Sequence, residues 1–168
     1  DYNPGGKLPV TFYESTADLP DFLDYSMENR TYRYFRGVPQ YAFGYGLSYT
    51  TFEVGKGKIS KKSMKADGSV KITVPVENTG DREGTETIQV YVKALDYAEA
   101  PIKSLKGFQK INLKAGEKGK VEIVLDGESF QYYDPSIDEL STRTGRYQIL
   151  YGTSSLEKDL KSIDFVVK

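Results

Sequence analysis

Any acid–base chemistry in this chain has to come from carboxylates, lysines or tyrosines, because it contains no histidine and no cysteine. Without those two residue types neither a Ser-His-Asp triad nor a Cys-His pair can be assembled. The usual zinc sites are excluded for the same reason, and no cofactor is expected. A hydrolytic carboxylate pair needs two acids roughly 5 to 10 Å apart. Asp24 and Glu28 are the best placed for that, since they sit in an aromatic-rich stretch. With 24 acidic residues in the chain, close pairs also arise by chance, and the solvated reading is favoured. Arg30, Tyr32, Arg33 and Tyr34 could reach a substrate, although paired arginines and packed tyrosines explain them better. Asp134-Pro135 reads as a turn in which the Asp side chain accepts nearby backbone N–H groups. Asn29-Arg30-Thr31 fits a glycosylation acceptor pattern, which is frequent by chance. Lys56, Lys58, Lys61, Lys62 and Lys65 read as a solvated strand edge, charged against aggregation, rather than as a ligand site.

The global balance excludes further classes. The 168 residues carry a net charge of −1, with both signs mixed along the chain. That is no electrostatic footprint for nucleic acid. No apolar run approaches the roughly 18 residues needed to span a bilayer, so no membrane partner is expected. Hydrophobic residues at 38% and charged residues at 28% suit a globular domain. The opening Asp1-Tyr2-Asn3-Pro4-Gly5-Gly6 looks cut from something longer. The lack of tryptophan weakens a sugar-platform reading without removing it, since tyrosine can substitute.

The elements that would position these residues fall into two textures. Residues 1–40 are loop-rich, and thirteen aromatics lie within the first 52 residues. Lys7 to Tyr13 and Arg30 to Phe35 are candidate strands. In Tyr41-Ala-Phe-Gly-Tyr-Gly-Leu-Ser-Tyr49 a large side chain alternates with a small one. In an extended chain that puts Tyr41, Phe43, Tyr45, Leu47 and Tyr49 on one face and nearly bare backbone on the other. The rings are expected to anchor the segment in a crevice, while Gly44 and Gly46 permit close approach or a bend. The strip then acts as a hinge between two bodies, with Phe52 at its end.

From residue 53 the chain reads as short alternating segments split by turns. Val70, Ile72 and Val74 share a face, as do Ile88, Val90 and Val92. Leu113, then Val121, Ile123 and Leu125, then Tyr147 and Ile149, then Phe165 and Val167 continue the pattern. With Phe52 to Ile59 as the first, about seven strands are expected. Their spacing predicts an all-β, immunoglobulin-like antiparallel β-sandwich. The N-terminal segment before it should be mostly irregular and extended.

Pro39-Gln-Tyr-Ala-Phe-Gly-Tyr-Gly-Leu-Ser-Tyr-Thr-Thr-Phe52 closely resembles a signature of glycoside hydrolase family 3, the β-glucosidase and β-xylosidase family. There the run leaves an α/β sandwich domain and enters a C-terminal fibronectin type III-like domain. Gly6-Lys-Leu-Pro-Val-Thr-Phe12 is similar to the last strand of that α/β domain. Arg30-Thr-Tyr-Arg-Tyr-Phe35 looks more like the β-xylosidase-type members. Leu105 to Phe108, Phe130 to Pro135 and Gly145 to Tyr147 extend the likeness over nearly the whole chain. The resemblance implies a division into 1–50, the tail of the α/β domain plus hinge, and 51–168, the fibronectin type III-like domain. It implies catalytic residues upstream, since the family's nucleophile motif is absent here. It also implies a parent acting on terminal sugars of plant oligosaccharides, periplasmic or secreted, with its own catalytic domains and the oligosaccharide as partners; a homodimer is left open. The alternative is an independent carbohydrate-binding or protein-interaction sandwich.

Overall fold

The computed structural model describes residues 3–168; Asp1 and Tyr2, where the opening Asp1–Gly6 run begins, lie outside the described residues. Among the described residues, eleven strands follow a lead segment: β1 (Phe52–Val54), β2 (Lys58–Ile59), β3 (Ser63–Met64), β4 (Ser69–Asn78), β5 (Gly84–Ala94), β6 (Ser104–Leu113), β7 (Lys118–Asp126), β8 (Tyr132–Asp134), β9 (Glu139–Ser141), β10 (Gly145–Gly152) and β11 (Leu160–Val167). One sheet is built on β4. It pairs antiparallel with β7 along one edge and with β1 and β2 along the other. The second sheet runs β3-β11-β10-β5-β6. All its pairings are antiparallel except β3 with β11, which is parallel. The first strand therefore leaves one sheet after Ile59 and joins the other at Ser63, closing the side of the sandwich. Counting β1 to β3 as that one interrupted strand, the two sheets hold seven principal strands, as the spacing predicts.

The core forms where alternation demands it. β4 reads Ser-Val-Lys-Ile-Thr-Val-Pro-Val-Glu-Asn, and Val70, Ile72, Val74 and Val76 are all buried. Across from them lie Val121, Ile123 and Leu125 of β7. Ile88, Val90 and Val92 of β5 and Tyr147 and Ile149 of β10 close the core from the second sheet. Every residue expected between the sheets is buried. Phe130 was not expected there. It lies on a short 3-10 turn outside any alternating run, yet it is 1% exposed and packs against Phe165 and Tyr147 at ring separations of 5.2 and 5.4 Å.

Three details depart from the sequence reading. The run Phe52 to Ile59 breaks at Gly55–Gly57, because the Tyr151 hydroxyl takes the Gly57 N–H at 2.8 Å and removes it from the ladder. The weak alternation of Ser104 to Leu113 has its cause in a β-bulge. Val90 faces Gly107 while Tyr91 faces Leu105, so Lys106 is the extra residue and the facing parity changes there. Leu105 consequently faces the same side as Tyr91, while Phe108, out of phase with Ile111 and Leu113, is 64% exposed. The stretch around the Asp134-Pro135 turn carries two strands that the spacing did not predict, β8 and β9, paired as a small hairpin.

Two polar devices hold the ends. The Asn78 side chain, fully buried, accepts from the Thr50 hydroxyl at 2.7 Å and from Gly80 N–H at 3.1 Å. It donates to the carbonyls of Arg82 and Leu113. One amide thereby ties the end of the lead segment to the β4–β5 turn and to the end of β6. At the other end the Tyr147 hydroxyl donates to the Arg143 carbonyl at 2.6 Å. A tyrosine early in this strand that bonds back to the preceding corner is a hallmark of immunoglobulin-like sandwiches.

Candidate functional site

The site with most to say about function is the face where the lead segment lies on the second sheet. β5 alternates, so Thr87, Gln89 and Tyr91 point away from the core. An outer face would ordinarily meet water, yet all three are buried, Tyr91 completely. Their cover is the stretch from Tyr32 to Gly44. The Gln89 amide donates to Gly44 O at 3.0 Å and to Thr153 O at 2.7 Å, and its oxygen accepts from the Tyr91 hydroxyl at 2.5 Å. Tyr32 stacks on Phe43 at 4.3 Å and meets Tyr91 edge-on at 5.8 Å. The Tyr32 hydroxyl accepts Leu105 N–H, Arg33 O accepts Ile102 N–H, and Phe43 O accepts Ser155 N–H. Burial pushes the phenols of Tyr32 and Tyr91 above the ordinary tyrosine range. A shielded ion pair, Lys7 to Glu86 at 2.7 Å, pins the start of the segment to β5.

The strip residues divide differently from the expectation. Ala42 and Gly44 are the buried ones. Tyr41, Leu47 and Tyr49 are exposed at 44%, 72% and 66%, and Phe43, Tyr45 and Phe52 are half-buried. Tyr41, Leu47 and Tyr49 are thus not anchors onto the sandwich. The physical reason is that the contact is made by backbone. Gly44 has φ +78°, and a Cβ there would lie 2.0 Å from the Gln89 amide oxygen. At Gly46 a Cβ would lie 2.2 Å from the Gly6 carbonyl. Only the small residues fit on that side, which turns large side chains outward. Leu8 and Phe12 pair with this strip through Leu8 N to Tyr45 O, Gly44 N to Leu8 O and Phe12 N to Tyr41 O. Substituting Gly44 by alanine is expected to cost about 1 to 3 kcal/mol through strain at positive φ together with the clash. A chemical melt of the G44A chain, compared with the G6A chain where a Cβ meets open space, checks this.

The remaining candidates fall as follows. Arg30 to Phe35 is no strand; Thr31–Tyr34 is a single helical turn closed by Phe35 N to Thr31 O. It forms because its polar edge is used by Ile102 and Leu105 rather than by a strand partner. The Arg30 guanidinium is occupied by the carbonyls of Ser26, Asp21 and Asp24. It props a loop that presents Phe22, Leu23 and Tyr25, exposed at 90%, 76% and 88%. Arg33 lies over the Tyr34 ring at 5.7 Å, and its Nε is buried without a partner among the described residues. Asp24 and Glu28 do border one shallow depression. The Asp24 carboxylate accepts Ser26 N–H, which holds it below the usual carboxylate range, so it is unsuited to act as an acid. Asp134 accepts Ser136 N–H as a turn residue should, and also pairs with Arg143 at 3.1 Å. The five clustered lysines are all exposed. Among the described residues no cluster of metal-ligating side chains occurs, and no helix is long and apolar enough to cross a membrane. Sequence reasoning missed Gln89 and Tyr91; the available signal was a tyrosine ring on the otherwise polar face of β5.

The architecture, with β4 and β7 facing β5, β6, β10 and β11, defines an immunoglobulin-like sandwich of fibronectin type III type. Residues 86–155 match the fibronectin type III-like domain family. The chain is 49% identical over 97% of its length to a xylan 1,4-β-xylosidase of Xylanibacter ruminicola, and covers 19% of that protein. It is 38% identical over 92% of its length to a periplasmic β-glucosidase of Salmonella typhimurium, covering 22% of it. Among solved structures, a GH3 β-glucosidase of Bifidobacterium adolescentis superposes at a TM-score of 0.84 with 30% identity, over 99% of this chain and 26% of that one. The resemblance to the C-terminal, fibronectin type III-like portion of family 3 glycoside hydrolases is borne out. The chain spans about a fifth of the length of the curated relatives it matches.

Proposed function

We propose that this chain is the non-catalytic C-terminal part of a retaining, exo-acting β-glycosidase that removes terminal xylose or glucose units from plant oligosaccharides. Its role is to brace the catalytic domains of the same polypeptide. The observation that carries this reading is the two-faced strip. Ala42 and Gly44 are buried, with Gly44 against Gln89 of the sandwich, while Tyr41, Leu47 and Tyr49 are exposed, as are Phe22, Leu23 and Tyr25. Apolar surface displayed in this way is what a docking face requires. The division into 1–50 and 51–168 is part of the proposal, with the first stretch completing the upstream α/β domain. If any side chain here approaches substrate, Arg33 and Tyr34 precede Arg30 and Tyr32, whose polar groups are already engaged. A periplasmic or secreted location suits the reading, as one relative is named periplasmic.

This chain by itself is expected to hydrolyse neither nitrophenyl-β-xyloside nor nitrophenyl-β-glucoside. In the intact parent, Leu47→Asp and Tyr49→Asp should lower the temperature at which activity is lost while leaving the melt of the isolated chain within about 0.5 kcal/mol. Turnover by the chain alone that vanishes when one of its own carboxylates is changed would overturn the proposal.

A further inference from the structure

Beside the lead segment, on the outer face of the second sheet, two hollows of about 470 and 260 Å³ adjoin. They share a wall made of Lys93, Ile102, Lys103 and Glu157. Tyr32, Phe35 and Arg36 line the larger one. Lys103 is the unusual member. It is only 8% exposed, and among the described residues its ammonium makes neither a hydrogen bond nor an ion pair. Glu157 acts on it only at a distance, and burial pushes its pKa down. Its stem is buried while the ammonium opens onto the groove, so a cation without a partner faces whatever occupies the hollow.

We propose that this groove binds a saccharide carrying a single carboxylate, a uronate-substituted xylo-oligosaccharide, with the acid group placed on Lys103. The inference rests on the β-glycosidase reading for the sugar, and on the groove for the acid. Three cations against one carboxylate, Arg36, Lys93 and Lys103 against Glu157, give the site an unfilled positive charge. Glu157 disfavours a doubly charged phosphate but can accept sugar hydroxyls. Aromatic side chains supply an apolar wall for a pyranose ring, and the volume lies within the range of small-ligand pockets.

Calorimetric titration of the chain with glucuronosyl-xylotriose, xylotriose, acetate and inorganic phosphate tests this without any turnover, so its result is separate from the fate of the activity proposal. The acidic saccharide is expected to bind at least about tenfold more tightly than xylotriose, and Lys103→Met should erase that difference. Lys93→Gln, at the half-buried mouth, should weaken acid binding and serves if the Lys103→Met chain does not melt like the parent. No binding of the acidic saccharide overturns the proposal. So does equal binding of xylotriose, or acetate or phosphate matching the acidic saccharide. A natively melting Lys103→Met chain with unchanged affinity overturns it as well.

Discussion

Ile149→Ala is expected to lower the stability of this chain by about 2 to 5 kcal/mol. Ile149 is fully buried, central in β10 and flanked by β5 and β11, with Val92 and Ile163 as its cross-strand partners. Neighbours on both sides are held by sheet hydrogen bonds, so the site cannot collapse to fill the space left by the lost methylene and methyl groups. The transfer term and the cavity term therefore add. For a chain of this size each kcal/mol lowers the melting temperature by about 2 to 4 °C. Val124→Ala, on the exposed face of β7, is the control and should fall within about 0.5 kcal/mol. An Ile149→Ala chain that melts with the control would mean that the two sheets do not share this core.

Removal of residues 1–40 is expected to leave the sandwich folded but to strip from β5 the part of its cover that precedes Tyr41. Tyr32 goes with the deletion, and with it the ring against Tyr91 and the phenol that receives Leu105 N–H. The readout is the tyrosine titration. Burial holds the phenols of Tyr32, Tyr91 and Tyr147 above the ordinary range, and pushes Tyr132 up to about 12. A folded-state pKa raised above the unfolded value of about 10 means that the neutral phenol is the favoured form in the fold. The stability linked to it is complete below pH 10 and is lost as pH rises through the folded value. In the truncated chain Tyr91 should ionise closer to pH 10, while Tyr147, buried in the core, should not shift. Strand content should be retained, with increased binding of an apolar dye. Complete unfolding of the truncated chain would show that the lead segment belongs to the core of the sandwich.

Much of this protein was legible in the residues alone. Alternation in β4, β5, β7, β10 and β11 named the buried face of each strand, because side-chain period is a local property of an extended backbone. The Asp134 turn was legible too, because an Asp side chain accepts backbone N–H groups two residues on. The Tyr41–Tyr49 strip announced both its alternation and its likeness to a family signature. Which of its faces meets the sandwich was not legible. That depended on Gln89, more than forty residues away, whose amide reaches the Gly44 carbonyl only if no Cβ intervenes. The helical turn at Thr31–Tyr34 was misjudged as a strand because its hydrogen-bond partners, Ile102 and Leu105, lie in a distant strand and its approach. Phe130 lay outside any periodic run, and the parity change in β6 came from one extra residue at Lys106. The unpartnered ammonium of Lys103 is invisible in a sequence, since isolation of a charge is a property of everything packed around it. Composition and period decided which residues are inside the sandwich; only the tertiary structure decided which backbone approaches which side chain, because those contacts join segments whose spacing along the chain carries no shared period.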